Sequence, residues 1–280
     1  MKNKILILLI LLYGTAKAQE NSSPLEFIYK TIETDTLKAY VFLPKDISDK
    51  ESRPSIAIFH GGGWAMGEPS WGFGYADKYA ELGMVSISVE YRISNKENIT
   101  PIDAMEDARD FFIWARENAN RLNINKDSIA AFGWSAGGHL VAGAAVFPKY
   151  TSDSSISSKP NALILQSPAV SILNDEWFKQ LLLERGKPID YSPAQHIKKN
   201  MPPTIIVIGR DDSVTPLKNS ELFRDEMIKN NNICELHVYD SVGHLFTPLP
   251  DNGWPKPDEE ISKKAFIQID LFLKGLGYIR

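Results

Sequence analysis

The chain contains a single cysteine, Cys234, among its 280 residues. One thiol excludes an intramolecular disulfide, so the fold must depend on a hydrophobic core of its own. Cys234 lies in the alternating apolar pattern of residues 233–239, which predicts a strand. We therefore interpret it as a buried structural thiol rather than a reactive one.

The chain also lacks an apolar run of about 20 residues, the length that a helix needs to cross a bilayer. The apolar run Ile5–Leu12 follows a short basic start and precedes the small residues Ala16 and Ala18. This order is typical of a secretory signal peptide, so residues 1–18 are predicted to be removed after Ala18. We expect an exported protein, periplasmic or secreted, with no stable membrane insertion, in which residues 19–280 form one domain.

Positive charge is in the minority, with 31 Lys and Arg against 35 Asp and Glu and a formal net charge of −4. Removal of residues 1–18, which carry three lysines and no acid, makes the mature chain more acidic. An acidic exported protein is poorly suited to nucleic acid or to anionic membrane surfaces. The composition therefore favours a small molecule or a neutral polymer as the partner.

Apolar strands alternate with amphipathic helices, which predicts an α/β fold with a mostly parallel central sheet and helices on both faces. The first two strands, 27–33 and 37–43, are predicted to form an antiparallel pair. The remaining predicted strands are 55–59, 84–89, 127–132, 161–166, 203–208 and 233–239. Helices are predicted over 72–82, from 101 onward, and over 136–146, 220–229 and 259–273.

The segment 171–202 interrupts this alternation between two predicted strands. It contains a predicted helix, 176–184, followed by glycine and two prolines. A segment of this length at this place is either a short lid-like insertion over a substrate site or a peripheral packing helix. The residues of the segment favour neither interpretation.

The pentapeptide Gly133-Trp134-Ser135-Ala136-Gly137 places a serine between a predicted strand and a predicted helix. A serine on so sharp a turn needs small neighbours, which Gly133, Ala136 and Gly137 supply. Its hydroxyl would be exposed as a nucleophile, and the positive end of the following helix would face the developing oxyanion. Ser135 is therefore the candidate nucleophile of an acyl-transfer reaction.

The loop His60-Gly61-Gly62-Gly63-Trp64 directly follows a buried predicted strand. Its glycines allow the backbone to approach a reacting carbonyl, so the amides of Gly62 and Gly63, with that of Ala136, are the candidate oxyanion hole. The amide of Trp64 could take the place of the Gly63 amide in this set. We expect His60 to hold the loop by hydrogen bonds rather than to act in catalysis.

A serine nucleophile needs a base and an orienting carboxylate. His244 is the candidate base because it follows the last predicted strand, at the sheet edge where active sites form. Asp212 is the candidate acid because it follows a strand and lies between Ser135 and His244 in the chain. Its neighbour Asp211 would then cap the following helix or contact solvent.

With these motifs in the order given, the chain resembles the α/β-hydrolase superfamily, and within it the HGGG-type esterases and lipases. The hormone-sensitive-lipase-like group and the bacterial feruloyl and acetylxylan esterases are the nearest members. The resemblance implies an α/β-hydrolase fold and a serine esterase that needs no metal and no organic cofactor. It also implies a small-molecule or oligosaccharide ester, such as an acetylated or feruloylated carbohydrate, as the substrate.

Two other functions fit parts of the sequence. Serine peptidases of the prolyl-peptidase type share the sheet and the triad, but they carry a large additional domain for which this chain has no room. A non-catalytic binding module on a hydrolase scaffold would have lost a triad or oxyanion residue, and none is missing here. Trp64 and Trp254 are candidate substrate-binding residues, although Trp64 could equally pack in the core and Trp254 could belong to a plain proline-rich loop.

Overall fold

The computed structural model describes residues 23–48, 52–94, 98–153, 155–250 and 256–280. The predicted signal peptide, residues 1–18, lies outside these ranges. Within them, no helix has the length and apolar character that a bilayer span requires.

Eight strands of the described chain form one central sheet. They are β1 (Leu25–Ile32), β2 (Asp35–Phe42), β3 (Arg53–Phe59), β4 (Val85–Val89), β5 (Ile124–Trp134), β6 (Ala162–Gln166), β7 (Thr204–Gly209) and β8 (Cys234–Tyr239). Their order across the sheet is β1-β2-β4-β3-β5-β6-β7-β8. The pairs β1–β2 and β2–β4 are antiparallel, and all other neighbours are parallel. The predicted mostly parallel sheet and its antiparallel opening pair are therefore confirmed.

Helices cover both faces of this sheet, as predicted. In the described residues they are α1 (Phe73–Glu81), α2 (Pro101–Glu117), α3 (Ala119–Leu122), α4 (Ala136–Val146), α5 (Glu176–Leu181), α6 (Leu217–Lys229) and α7 (Glu259–Gly275). Helices α1 and α7 contribute to the hydrophobic cluster on one face, and α2, α4 and α6 contribute to the cluster on the other.

Alternate residues of each central strand enter opposite clusters. In β3, Ile56 and Ile58 pack on the side of α1 and α7, whereas Ala57 and Phe59 pack on the side of α2 and α4. Successive side chains of a strand point to opposite faces, so a strand covered on both faces must be apolar throughout. This explains why residues 56–59, 129–132, 162–165 and 205–208 of the central strands are short apolar runs.

The direction in which the chain crosses the sheet changes at β3. Strand β4 lies on one side of β3 and β5 lies on the other. In open α/β sheets, ligands bind outside the carboxyl ends of the strands at such a switch point. His60 follows β3 and Ser135 follows β5, so the topology brings the two sequence motifs to the same place.

The predicted helix 176–184 is shorter in the structure, where α5 ends at Leu181. Leu183 and Glu184 have φ angles of 48° and 63°, in the left-handed region that helices do not use. Two 3₁₀ turns, Pro188–Tyr191 and Pro193–His196, follow before β7 begins.

A buried carboxylate joins β1, α2 and the segment that follows β4. The side chain of Asp107 is fully buried and accepts hydrogen bonds from Arg92 Nε and Nη2, both at 2.8 Å, and from Lys30 Nζ at 2.6 Å. The backbone amide of Arg92 also donates to Asp107, at 3.0 Å. Such geometry offsets the cost of burying the charge, but only while both partners remain.

Replacement of Asp107 by Ala should lower the free energy of unfolding by about 3 kcal/mol, because Arg92 and Lys30 lose their fully buried partner and keep only Asp103 and Asp110, at 3.3 and 2.7 Å. Urea denaturation of the purified protein measures this. Asp110→Ala is the matched control, since Asp110 lies one turn further along α2 and its side chain is 24% exposed. The Asp110→Ala variant should lose about 1 kcal/mol or less of its free energy of unfolding. Equal losses in the two variants would contradict this assignment.

Candidate active site

The serine motif forms a sharp turn between β5 and α4. Ser135 has φ 53° and ψ −120°, a backbone conformation that residues other than glycine rarely adopt. A Cβ on Gly133 would lie 2.4 Å from the carbonyl oxygen of Gly137, and a Cβ on Gly137 would lie 2.1 Å from that of Phe59. Close backbone contact therefore requires glycine at both positions, as expected from the sequence.

Three predicted side chains meet at the carboxyl end of the sheet. His244 Nε2 lies 3.1 Å from Ser135 Oγ, and His244 Nδ1 lies 2.9 Å from Asp212 Oδ2. A carboxylate only accepts, so Nδ1 carries the imidazole proton and Nε2 accepts from the serine hydroxyl. The three groups form one continuous hydrogen-bond chain in which a proton can pass from serine to histidine.

The carboxylate of this chain is held in a fixed orientation. Asp212 Oδ1 accepts from the backbone amides of Val214 and Thr215, at 3.0 and 2.7 Å, and Oδ2 accepts from Thr215 Oγ1 at 2.9 Å. The side chain of Asp212 is fully buried, whereas Asp211 is exposed. Of the two alternatives for Asp211, contact with solvent is the one observed.

Two residues that support this arrangement were not identified from the sequence. Thr215 donates to Asp212, and its spacing, three residues after an aspartate in a loop, is a known local signal for such a bond. Ser167 Oγ accepts from the amide of Leu245 at 3.1 Å and so holds the turn that carries His244. No local pattern could have identified Ser167, because its partner is distant in the chain.

The carbonyl groups of the glycine loop are held by neighbouring donors. His60 Nδ1 donates to Gly61 O at 2.6 Å, and the amides of Ala65 and Met66 donate to Gly62 O at 3.2 and 3.1 Å. In a trans peptide the N–H points opposite to the C=O, so the amides of Gly62 and Gly63 point away from these donors. No described residue accepts a hydrogen bond from either amide.

His60 supports this loop and lies outside the serine–histidine–aspartate chain, as expected. Its ring stacks on Tyr91 with a centroid separation of 4.3 Å, and the Tyr91 hydroxyl donates to His60 O at 2.8 Å. Burial lowers the pKa of His60 to about 4, so the ring stays neutral near neutral pH.

Trp64 is only 3% exposed, and its indole Nε1 donates to His139 Nδ1 at 3.2 Å. Because Nδ1 accepts, Nε2 of His139 carries the proton, and it donates to the carbonyl of Tyr191 at 2.8 Å. Burial lowers the pKa of His139 to about 4. Trp64 therefore packs in the core, although it also lines the cavity described next.

A cavity of about 520 Å³ opens beside the serine. Its lining comes from the glycine loop, from the insertion 171–202 and from the loop that carries Asp212. The lining residues are Gly63, Trp64, Ser135, Ala169, Ser171, Asn174, Asp175, Glu176, Trp177, Ser213, Val214, Thr215, Pro216, Lys218 and Asn219. Trp254, the other tryptophan considered from the sequence, lies outside the described residues.

The insertion packs into the core with one side and faces this cavity with the other. Phe178 is fully buried and its ring contacts that of Trp64, with a centroid separation of 4.9 Å. The adjacent Trp177 is about half exposed, and its indole N–H donates to Gly63 O at 2.9 Å. The segment therefore packs into the core through Phe178 and lines the cavity through Trp177.

A second cavity, of about 510 Å³, lies near Lys45, Gly83 and Tyr278 and contains none of the three predicted catalytic side chains. No described group of three or more His, Cys, Asp or Glu side chains is arranged to hold a metal ion.

Several of the known proteins that this chain resembles are esterases. Residues 40–175 match the family model described as BD-FAE. The chain is 26% identical over 217 residues to an acetylxylan esterase of Xylanibacter ruminicola, a match that covers 73% of this chain and 42% of that protein. It is 30% identical over 148 residues to an arylesterase of Saccharolobus solfataricus, covering 51% and 46%. The chain thus spans less than half the length of these two curated relatives.

The solved structures give a match over nearly the whole chain. Esterase 2 of Thermogutta terrifontis, in a form phosphoramylated by tabun, superposes with a TM-score of 0.83 at 30% identity, covering 93% of this chain and 97% of that one. Structures of the same esterase have also been solved with propionate and with butyrate bound. The fold is therefore the α/β-hydrolase fold, and this chain belongs to the α/β-hydrolase esterase family.

Proposed function

We propose that the protein is an exported serine carboxylester hydrolase that acts through an acyl-enzyme intermediate. The observation that carries the proposal is the continuous hydrogen-bond chain from Ser135 through His244 to Asp212, with distances of 3.1 and 2.9 Å. The membership of the chain in an esterase family supports the same conclusion and favours an ester over a peptide substrate.

In the proposed reaction, Ser135 Oγ attacks the ester carbonyl carbon while its proton passes to His244 Nε2. Asp212 stabilises the imidazolium that forms. When the tetrahedral intermediate collapses, the bond to the alcohol breaks and His244 gives its proton to the leaving oxygen. Water, deprotonated by His244, then attacks the acyl-Ser135 ester and releases the carboxylic acid and the free serine.

The negative oxygen of each tetrahedral intermediate is stabilised by the amides of Gly62, Gly63 and Ala136. This part of the proposal is supported by the orientation of the glycine loop, because the donors on Gly61 O and Gly62 O turn the following amides to the opposite side. Ala136 begins α4, so the helix adds its positive end to the same place. Donors fixed before substrate arrives lose no free energy to reorganisation during the reaction.

We propose short acyl groups on a carbohydrate alcohol, such as acetylated or feruloylated sugars, as the substrates. The cavity carries hydroxyl and amide side chains at Ser171, Asn174, Ser213 and Asn219 beside the half-exposed ring of Trp177. The hydroxyl groups of a sugar can bind these polar side chains, and the apolar face of its ring can pack on Trp177. The acetylxylan esterase relative, and the esterase solved with propionate and butyrate, support short acyl groups.

The mature enzyme would be residues 19–280, exported to the periplasm or beyond after removal of residues 1–18. The apolar run and the small residues before Gln19 support this proposal. The mass of the protein recovered from the exported fraction should correspond to a chain that begins at Gln19. An exported protein that retains Met1 would contradict it.

Replacement of Ser135 by Ala should lower kcat/KM on p-nitrophenyl acetate by a factor of about 10⁴ or more, because no other group forms the acyl-enzyme. Steady-state kinetics measures this, and circular dichroism checks that the variant folds. Ser262→Ala, on helix α7, is the matched control and should retain full activity. Substantial turnover by a folded Ser135→Ala variant would refute the mechanism.

Among p-nitrophenyl esters, acetate and butyrate should be hydrolysed at least about tenfold faster than decanoate in kcat/KM, because the cavity must also hold the alcohol. Acetylated xylan should release acetate, measured by chromatography, while the Ser135→Ala variant releases none. A preference for decanoate would contradict the short-acyl assignment. Hydrolysis of nitrophenyl acetate without release from xylan would contradict the carbohydrate assignment and leave the esterase mechanism standing.

A further inference from the structure

Each carbonyl of the glycine loop has a donor in the protein, and one of these donors is unlike the others. Gly61 O is held by His60, Gly62 O by the amides of Ala65 and Met66, and Trp64 O by the amide of Ser94 at 2.6 Å. These donors belong to the loop itself or to the segment after β4. Gly63 O is held instead by the indole N–H of Trp177, which reaches it from the insertion at 2.9 Å.

The backbone at this point needs external support. Gly62, Gly63 and Trp64 have consecutive positive φ angles of 118°, 57° and 62°. The conformation costs little for glycine, but for Trp64 it is strained. A strained peptide persists only when surrounding contacts fix it, and the Gly63–Trp64 peptide is fixed on its carbonyl side by Trp177. Among the described residues, no other donor reaches that oxygen.

The contact is also close. A Cβ built on Gly63 would lie 3.1 Å from Trp177 Nε1, so the edge of the indole rests directly on the loop. Trp177 is 49% exposed and lines the cavity beside Ser135. The next residue, Phe178, is fully buried against Trp64 and anchors α5 in the core. The indole is therefore carried by a fixed element and not by a free loop.

We propose that Trp177 is a positioning residue for the oxyanion hole: its N–H fixes the Gly63 carbonyl, and thereby the plane of the Gly63–Trp64 peptide with the Trp64 amide, and so restrains the backbone that carries the neighbouring Gly63 amide. The insertion is then part of the catalytic framework as well as a cover for the site. This inference rests on the proposed esterase function. Trp177 itself donates nothing to the reacting atoms.

A kinetic consequence distinguishes this role from substrate binding. The oxyanion exists in the transition state and not in the bound ester, so a loosened oxyanion loop lowers kcat and leaves KM almost unchanged. Loss of a complete oxyanion donor costs about 10²–10³ in kcat. Here the donors remain but are less well oriented, so we expect a loss of about tenfold.

The decisive variant is Trp177→Phe, which keeps an aromatic ring in the cavity but removes the N–H. Its kcat on p-nitrophenyl acetate should fall about tenfold, with KM within about twofold of the wild-type value. The rate of inactivation by a fluorophosphonate, whose attack also passes through an oxyanion, should fall in parallel. Trp177→Leu gives the same test if the phenylalanine variant is recovered in poor yield.

Trp114→Phe is the matched control, because it makes the same chemical change at a tryptophan that packs on Phe27 and Tyr29, outside the cavity. Its kcat should equal that of the wild type, whatever the effect on Tm. An unchanged kcat in Trp177→Phe would overturn the inference, and so would a rise in KM alone, which would make Trp177 a binding wall only. A wild-type protein that neither hydrolyses esters nor reacts with the fluorophosphonate would instead overturn the proposed function, and this inference with it.

Discussion

The backbone turn at Ser135 fixes the position of the candidate nucleophile relative to the sheet and to α4. Its φ of 53° and ψ of −120° place a strained residue between β5 and α4, and the contacts of Gly133 and Gly137 leave no room for larger side chains. The strain is maintained by a strand buried in the centre of the sheet and by a helix buried along its whole length. As a result, Ser135 is held at the carboxyl end of β5, directly before the N-terminus of α4.

The second structural theme is support by buried neutral imidazoles. His60 and His139 both have a pKa lowered by burial to about 4, and neither contacts Ser135 through its ring. Each uses a fixed tautomer to bind the glycine loop, His60 through Gly61 O and His139 through the Trp64 indole. The sequence contains five histidines. Hydrogen-bond partners distinguish His244, which contacts Ser135 and Asp212, from His60 and His139, which bind parts of the glycine loop.

Much of this could be predicted because the informative residues act locally. Gly133 and Gly137 are needed within a single turn, and His244 and Asp212 each follow a strand, so their meeting depends only on strand direction and order. The helix that ends at Leu181 and the contact of Trp177 with Gly63 could not be predicted, because they depend on the path of the insertion across the sheet edge. That path is set by the burial of Phe178 against Trp64, which is a tertiary contact without a local pattern.

In the proposed reaction, Ser135 carries the acyl group during turnover. The most direct measurement is rapid quenching of the enzyme with p-nitrophenyl acetate, followed by intact-mass analysis and peptide mapping. We expect a mass increase of one acetyl group, located on the peptide that contains Ser135, and its disappearance as the substrate is consumed. Turnover without an adduct on this serine, or with the acetyl group on another residue, would contradict the role of Ser135 as the nucleophile.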